Sequence, residues 1–404
     1  MARIRQLVAL AAATTLSGAF VAGPATAQTA TPESYVGSAA GAALDLSVLS
    51  LPSVTLGVST GKVTSLLTSV AEGAGSLGLA GSTIRAEVAN SGSDVKPNTC
   101  AVPLPVAGIL NLGLACGSAS ASIINANPVS VSEGSVASVD VSGQNLLNSV
   151  APVTDTLAGT VGTALSPLCG ALSLVCPVTA TVNDVLSSVL STKTLEVSAG
   201  KSISSITTDA GKVTSTATAE GAVVKILPLP QVAGVASTEP LATITVGTAK
   251  ATAVYDRATG VSTPTVDPAL VTVKLNTVLT TALGIPDTIS VPVGTSLILP
   301  GTAGTPLETE IVAAAGRTVT NADGTKGAIA DAVKIHALKG VSGGVLLNLA
   351  RAEAGVGGTV PVVAAASIPS VELPRTGGTP WLPVAGVSVL GLAVLVRRFV
   401  VRAN

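Results

Sequence analysis

The chain has 404 residues, enough for one large domain or two or three ordinary ones. Its 47% apolar residues against 11% charged ones exclude a disordered polar stalk. Without Arg3, Arg5, Arg397, Arg398 and Arg402 at the ends, 16 basic residues face 22 acidic ones, a net of minus six, so nucleic acid as a partner is excluded for want of a basic stripe.

Aromatic residues are nearly absent. Phe20, Phe399 and Trp381 lie in the terminal segments, which leaves Tyr35 and Tyr255 between them. This argues against a groove that stacks sugars and requires a core of small aliphatics.

The chain opens on Met1-Ala2-Arg3-Ile4-Arg5, an apolar run from Leu7 to Val21, and Gly23-Pro24-Ala25-Thr26-Ala27. This order predicts a signal peptide over 1–27, helical in its apolar part, with Ala25 and Ala27 at the cleavage site and Gln28 as the new N-terminus. Arg3 and Arg5 are not adjacent, which favours general secretion over twin-arginine export. Residues 28–38 are small and polar and read as a flexible start.

Period-two alternation then predicts half-buried antiparallel strands. It runs through Val54, Leu56 and Val58, through Ile84, Ala86 and Val88, and through Val139 and Val141. It returns at Ile244 and Val246, at Val271, Val273 and Leu275, and at Val333, Ile335 and Ala337, with Asp323-Gly324 offering a tight turn before the last of these. A weak echo of 39–49 in 328–338, and of 85–88 in 351–354, suggests two β-rich domains, 40–215 and 235–360.

One stretch breaks the pattern. Leu146, Leu147, Val150, Leu157, Val161 and Leu165 fall at helical spacing, as do Val182, Val185, Leu186, Val189 and Leu190, which predicts a helical insertion over 145–191. Pro152, Gly159 and Gly162 weaken its first half. Cys169 and Cys176 lie between its helices, and Cys100 and Cys116 bracket an apolar loop. Four cysteines in a secreted chain predict two disulfides, and of the three pairings Cys100–Cys116 with Cys169–Cys176 closes the shortest loops. The spacing is not that of a zinc site and the chain has one His, so no metal and no cofactor is expected.

Catalytic constellations are poor. Gly57-Val58-Ser59-Thr60-Gly61 and Gly340-Val341-Ser342-Gly343-Gly344 match a nucleophile elbow, and His336 follows Ser59 in the required order. The strands alternate, however, where a buried parallel sheet would show continuous apolar runs, and His336 reads as a solvent-facing strand residue. Glu308 and Glu310 share one strand face without an aromatic platform, which makes them a solvated pair. Asn321-Ala322-Asp323-Gly324 lacks the acidic ladder of a calcium loop. The chain is expected to be no enzyme.

Residues 361–376 read as a tether. From Gly377 to Val396 no charge occurs, and Arg397, Arg398 and Arg402 follow. This predicts a transmembrane helix over 379–396 with a cytoplasmic basic tail that stops transfer. Just before it, Leu373-Pro374-Arg375-Thr376-Gly377 resembles the LPxTG sorting signal of Gram-positive surface proteins in all its fixed positions, so residues 373–404 form the whole sorting region. The resemblance implies that a sortase cuts between Thr376 and Gly377 and passes Thr376 to a peptidoglycan precursor, with the membrane as a partner only before processing. Residues 327–333 and 349–354 are similar to secreted actinobacterial ectodomains of the choice-of-anchor type, which carry no known activity.

The expected fold class is therefore mainly β: an antiparallel β-sandwich-like ectodomain or pair of them, a short disulfide-stapled helical insertion, and helices at both ends. The expected function is that of a secreted surface protein, covalently anchored to the cell wall of a Gram-positive bacterium, with a structural or adhesive ectodomain. The alternatives are a sortase-assembled pilus component and a wall-associated serine hydrolase.

Overall fold

The computed structural model describes residues 34–48, 53–77, 83–101, 110–142, 193–228, 240–300, 303, 308–321, 324–337, 339 and 344–360. All of them belong to one compact unit, Pro32–Pro361. The helical insertion 145–191, the signal peptide and the sorting region fall outside the described residues.

In chain order the strands are β1 (Ser34–Val48), β2 (Val54–Thr64), β3 (Thr68–Leu77), β4 (Thr83–Ala89), β5 (Gly92–Ala101), β6 (Leu110–Leu112), β7 (Ala115–Ile124) and β8 (Asn127–Ser142). Then come β9 (Lys193–Thr208), β10 (Lys212–Glu220), β11 (Val223–Pro228), β12 (Pro240–Val246), β13 (Ala249–Asp256), β14 (Ser262–Asp267) and β15 (Val271–Leu275). A short helix, α1 (Thr277–Leu283), precedes β16 (Thr288–Val291), β17 (Ser296–Ile298), β18 (Glu310–Val312), β19 (Arg317–Thr320), β20 (Lys326–Ala330), β21 (Val333–Ala337) and β22 (Val345–Thr359).

These strands form two antiparallel sheets. Sheet A runs β17-β18-β21-β22-β1-β2-β3-β4, with β20 and then β19 beside the other half of β22. Sheet B runs β14-β13-β10-β9-β11-β12-β15-β16, and β8 pairs with β9 on its other side, followed by β7, β6 and β5. The sheets stack strand upon strand, β3 over β7 and β8, β2 over β8 and β9, β1 over β9 and β10, and β22 over β10 and β13. This is a β-sandwich, as the alternation predicted.

Two expectations are corrected. Residues 40–215 and 235–360 do not form separate domains, because β1 pairs with β22 along its length and β10 pairs with β13, so both ranges share both sheets. Residues 34–38 are no flexible start. They open β1 at the centre of sheet A, paired with β2 from Val36 onward and with β22 from Ser34 onward, and the inward-facing Tyr35 and Gly37 are buried.

The inward face of each long strand changes parity halfway. On β1 it is Tyr35, Gly37, Ala39, Gly41 and Ala43, then Leu44, Leu46 and Val48. The ladder skips Ala43 against both Gly57 and Ala350, and the latter two have positive φ, 59° and 58°. In sheet B the ladder skips Ala137 against Ala199. The pairing keeps its register across these positions, so both facing strands carry one unpaired residue there and reverse faces together, and these positions form a line across each sheet that divides the sandwich into two halves.

One half is filled by large aliphatics: Leu44, Leu46, Leu56, Leu195, Ile244, Ile335, Leu347 and Leu349 are fully buried there. The other half is filled largely by Gly, Ala and Ser, and its far end is closed by Tyr35, Val63, Ile206, Val213 and Tyr255. There the backbones of the two sheets nearly touch. A Cβ added at Gly134 would sit 2.2 Å from Val58 O and 2.5 Å from Ala74 O, both on the opposite sheet.

Short hairpins close the small-residue end, including a two-residue turn in which Asn125 and Ala126 both have positive φ, as a hairpin matched to the strand twist requires. β1 ends at Val48, β8 at Ser142 and β11 at Pro228, and β9, β12 and β22 begin, at the opposite end, the loop end. Ser34, where β1 begins, and Thr359, where β22 ends, are paired neighbours at the hairpin end.

Candidate functional surface

Of the residues singled out in the sequence, Ala25, Ala27, Gln28, Leu373, Pro374, Arg375, Thr376, Gly377, Arg397, Arg398 and Arg402 lie outside the described residues, as do Cys169, Cys176 and Ser342. Cys100 and Cys116 are joined in a disulfide, as the preferred pairing expected. They face each other on β5 and β7 with Cα atoms 4.0 Å apart.

Ser59 is fully buried in the middle of β2 and not at a strand-to-helix turn. Its hydroxyl lies 2.9 Å from the hydroxyls of Ser202 and Ser204 on sheet B. Ser202 donates to Gly57 O at 2.6 Å and to Ser59 Oγ at 2.9 Å, and Ser204 donates to Ser59 O at 3.0 Å, which leaves the Ser59 proton for Ser204 Oγ. The cluster belongs to a larger set of bonds that cross between the sheets. Ser132 donates to Thr60 O at 2.7 Å, Ser130 to Val70 O at 2.7 Å, Ser69 to Val129 O at 2.6 Å, and Ser215 to Ser38 O. Such serines satisfy their own hydroxyls in a dry interior and pin one sheet to the other.

His336 stands on the outer face of β21, opposite Glu310 and Leu346. Glu308 and Glu310 both hold Lys339, at 3.3 Å and 2.8 Å. Hydrogen bonds to Glu310 and then to Glu308 raise the pKa of the Lys339 ammonium. The two carboxylates are thus engaged by a cation, and both are remote in sequence from Ser59. Gly324, at φ 82°, makes the turn between β19 and β20, where Gly324 N donates to Asn321 O at 3.0 Å.

A further surface is the outer face of sheet B over its small-residue half, which the sequence alone did not single out. One cross-strand row reads Val95, Ser120, Val131, Ser205, Thr216, Thr252 and Thr265 on seven successive strands. The row beside it carries Thr207, Thr214, Val254 and Thr263. Neither row contains a charge. Strand geometry sets the hydroxyls about 4.8 Å apart across the sheet and about 6.7 Å apart along it. Charge returns at Glu133, Lys250 and Asp267 in the next row.

The outer face of sheet A differs. Across it run Arg85, Glu72, Thr60, Ala40, Glu353, Ile329 and Arg317, and ion pairs join Arg85 to Glu87 at 2.9 Å and Arg351 to Glu353. The sandwich therefore offers one face with charge across its width and one face that carries two rows of hydroxyls and methyls. The second can exchange hydrogen bonds with a neutral surface and has no titrating group in those two rows. The signal for it was present as Thr214-x-Thr216-x-Thr218 and Thr263-x-Thr265, outward positions of β10, whose inward positions are Val213, Ser215, Ala217 and Ala219, and of β14.

The strands at the edges of sheet B are blunted. β5 breaks register between Lys96 and Thr99 around Pro97, and β14 carries Pro264, which lacks an N–H. Asp94 on β5 accepts from Glu87 N at 3.2 Å and pairs with Lys96 at 2.8 Å. The Lys96 bond, followed by the Glu87 N–H, holds the Asp94 carboxyl below its usual value.

No protein-family model matches the chain, and no curated protein matches it. Among solved structures, the chain is compared with the P. putida toluene transporter TodX at 9% identity, over 81% of this chain and 90% of that one, with a TM-score of 0.14. Against Pseudomonas aeruginosa OccD3 the values are 8%, 81% and 92%, with a TM-score of 0.13. Likeness this slight carries no argument about fold or function.

Proposed function

We propose that this chain is a surface protein of a Gram-positive cell wall, a substrate of sortase, whose β-sandwich has a structural or adhesive role. The anchoring part of this reading rests on Leu373-Pro374-Arg375-Thr376-Gly377 followed by an uncharged span and a basic end. The observation that carries the rest is geometric. β22 ends at Thr359 at the hairpin end, beside Ser34, and the two rows of Ser, Thr and Val on the outer face of sheet B hold no charge, which suits contact with a neutral partner surface.

A hydrolase built on Ser59 has no support, since that hydroxyl is enclosed between the sheets. Assembly by strand addition at β5 or β14 is disfavoured by their prolines and broken register.

Mass spectrometry of the protein released from purified walls by a muralytic enzyme tests the anchoring. A C-terminal peptide that ends at Thr376 and carries a wall fragment is expected. A peptide that continues through Arg402 would replace the reading with a membrane-tethered protein.

A further inference from the structure

We propose that the sandwich is built to bear tension along its strands, between the outer face of sheet B and the C-terminal end of β22 at Thr359. This rests on the reading of the chain as wall-anchored.

β22 is the last strand of the unit and is not at an edge. On one side it pairs with β1 continuously from Ser34↔Thr359 to Val48↔Val345, apart from the skip at Ala350. On the other side β20 covers Ala352–Val356 and β21 covers Val345–Leu349. A pull on Thr359 directed away from the loop end acts parallel to these ladders. All their hydrogen bonds then share the load and must yield together, whereas a pull across the ladder opens them one pair at a time.

The load must next pass from sheet A to sheet B, and the serine bonds lie across the plane where the sheets would slide. Ser202 to Gly57 O, Ser204 to Ser59 O, Ser132 to Thr60 O and Ser130 to Val70 O each tie a sheet B strand to a sheet A backbone carbonyl. The inward glycines add a steric lock, since backbones in contact at Gly134 and Gly73 leave no clearance for one sheet to ride over the other. In sheet B the central pair, β8 with β9, is again lengthwise, from Ser130↔Ile206 to Ser142↔Lys193.

The same topology predicts a weak direction. Ser34 and Thr359 are paired neighbours at one end, so pulling the two ends of the unit apart loads their ladder from its tip and peels it open.

Single-molecule force spectroscopy on the full chain in detergent tests this, with a coupling tag at the C-terminus and a second handle either at the N-terminus or at position 193, where β9 begins. About a twofold or greater rise in rupture force is expected for the 193 geometry over the N-terminal one, since many bonds yield at once instead of one after another. Equal or lower force in the 193 geometry would overturn the proposal. That outcome leaves the wall-fragment measurement unaffected, so failure of the tensile inference and failure of the anchoring reading are distinguishable.

Discussion

Substituting Gly134 by Ala tests the close approach of the two sheets. The new methyl carbon would lie 2.2 Å from Val58 O, 2.5 Å from Val58 N and 2.5 Å from Ala74 O, whereas ordinary contacts of this kind begin at 3.4 Å. Every obstructing atom is backbone, on strands β2 and β3 that are laddered on both sides, so no side chain can turn away. Relief requires the sheets to part locally by about 1 Å, a gap that forfeits about a quarter to a half of each dispersion contact facing it. Overpacking of this kind costs about 1–3 kcal/mol, and the rigidity of the surroundings places Gly134→Ala near the upper end. In urea, at an m-value of about 3 kcal/mol/M, the midpoint would fall by about 0.5–1 M with m unchanged. Gly211→Ala is the control, because the nearest atom there is Asp209 Oδ1 at 3.7 Å, and its stability should stay within about 0.5 kcal/mol of the parent. If Gly134→Ala unfolds at the same urea concentration as Gly211→Ala, the sheets are not in backbone contact and the argument from small residues fails.

Ser202→Ala removes the donor to Gly57 O and a neighbour of Ser59, and should cost about 1–2 kcal/mol in the same unfolding assay, with a null effect arguing against the inter-sheet bonds. Asp94 has a depressed folded pKa, so its contribution is present above the unfolded value near 3.8 and is lost as pH falls through the folded one; a carboxyl titration by NMR should place it below 3.8, and Asp94→Asn should abolish the acid-dependent loosening of the β4–β5 corner. The Cys100→Ser/Cys116→Ser pair should cost up to about 3 kcal/mol by the loop-entropy argument. Because no residue of β5 is fully buried, the change should appear in hydrogen exchange as faster labelling of 92–101 while β8 and β9 keep their protection. Uniform loss across the sandwich would contradict that.

What the sequence revealed follows the line that divides the sandwich. Ile244 and Val246, Val271 to Leu275, and Val333 to Ala337 were legible as strands because their inward positions are large aliphatics in the aliphatic half. β9 and β10 were not, because the inward residues Ser202, Ser204, Ser215, Ala217 and Ala219 give no hydrophobic periodicity against outward Ser and Thr. Parity reversal blurred the rest: β2 buries Val54 and Leu56, then Gly57, Ser59 and Gly61. The domain count failed for a different reason. Pairing of the first strand with the last is a contact across the whole length of the unit, and local pattern carries no trace of it. The disulfide at Cys100 and Cys116 was legible because only a short loop separates the two residues.

The unusual composition and the wide sheets are two sides of one arrangement. Burial stabilises at about 25 cal/mol per Å² of apolar surface, so a core of Gly, Ala and Ser returns much less per strand than one of Leu or Phe. A chain without core aromatics beyond two tyrosines can compensate by adding strands, and sheets of ten and twelve strands among the described residues do so. Small residues also remove the side-chain layer that normally separates stacked sheets by about 10 Å, which brings serine hydroxyls within reach of the opposite backbone. Hydrogen bonds are directional where hydrophobic contact is not, so these serines fix the register of one sheet on the other, strand over strand. Pairing within sheet B then carries that order outward, where the register of β10, β13 and β14 lines up Thr216, Thr252 and Thr265 in one row.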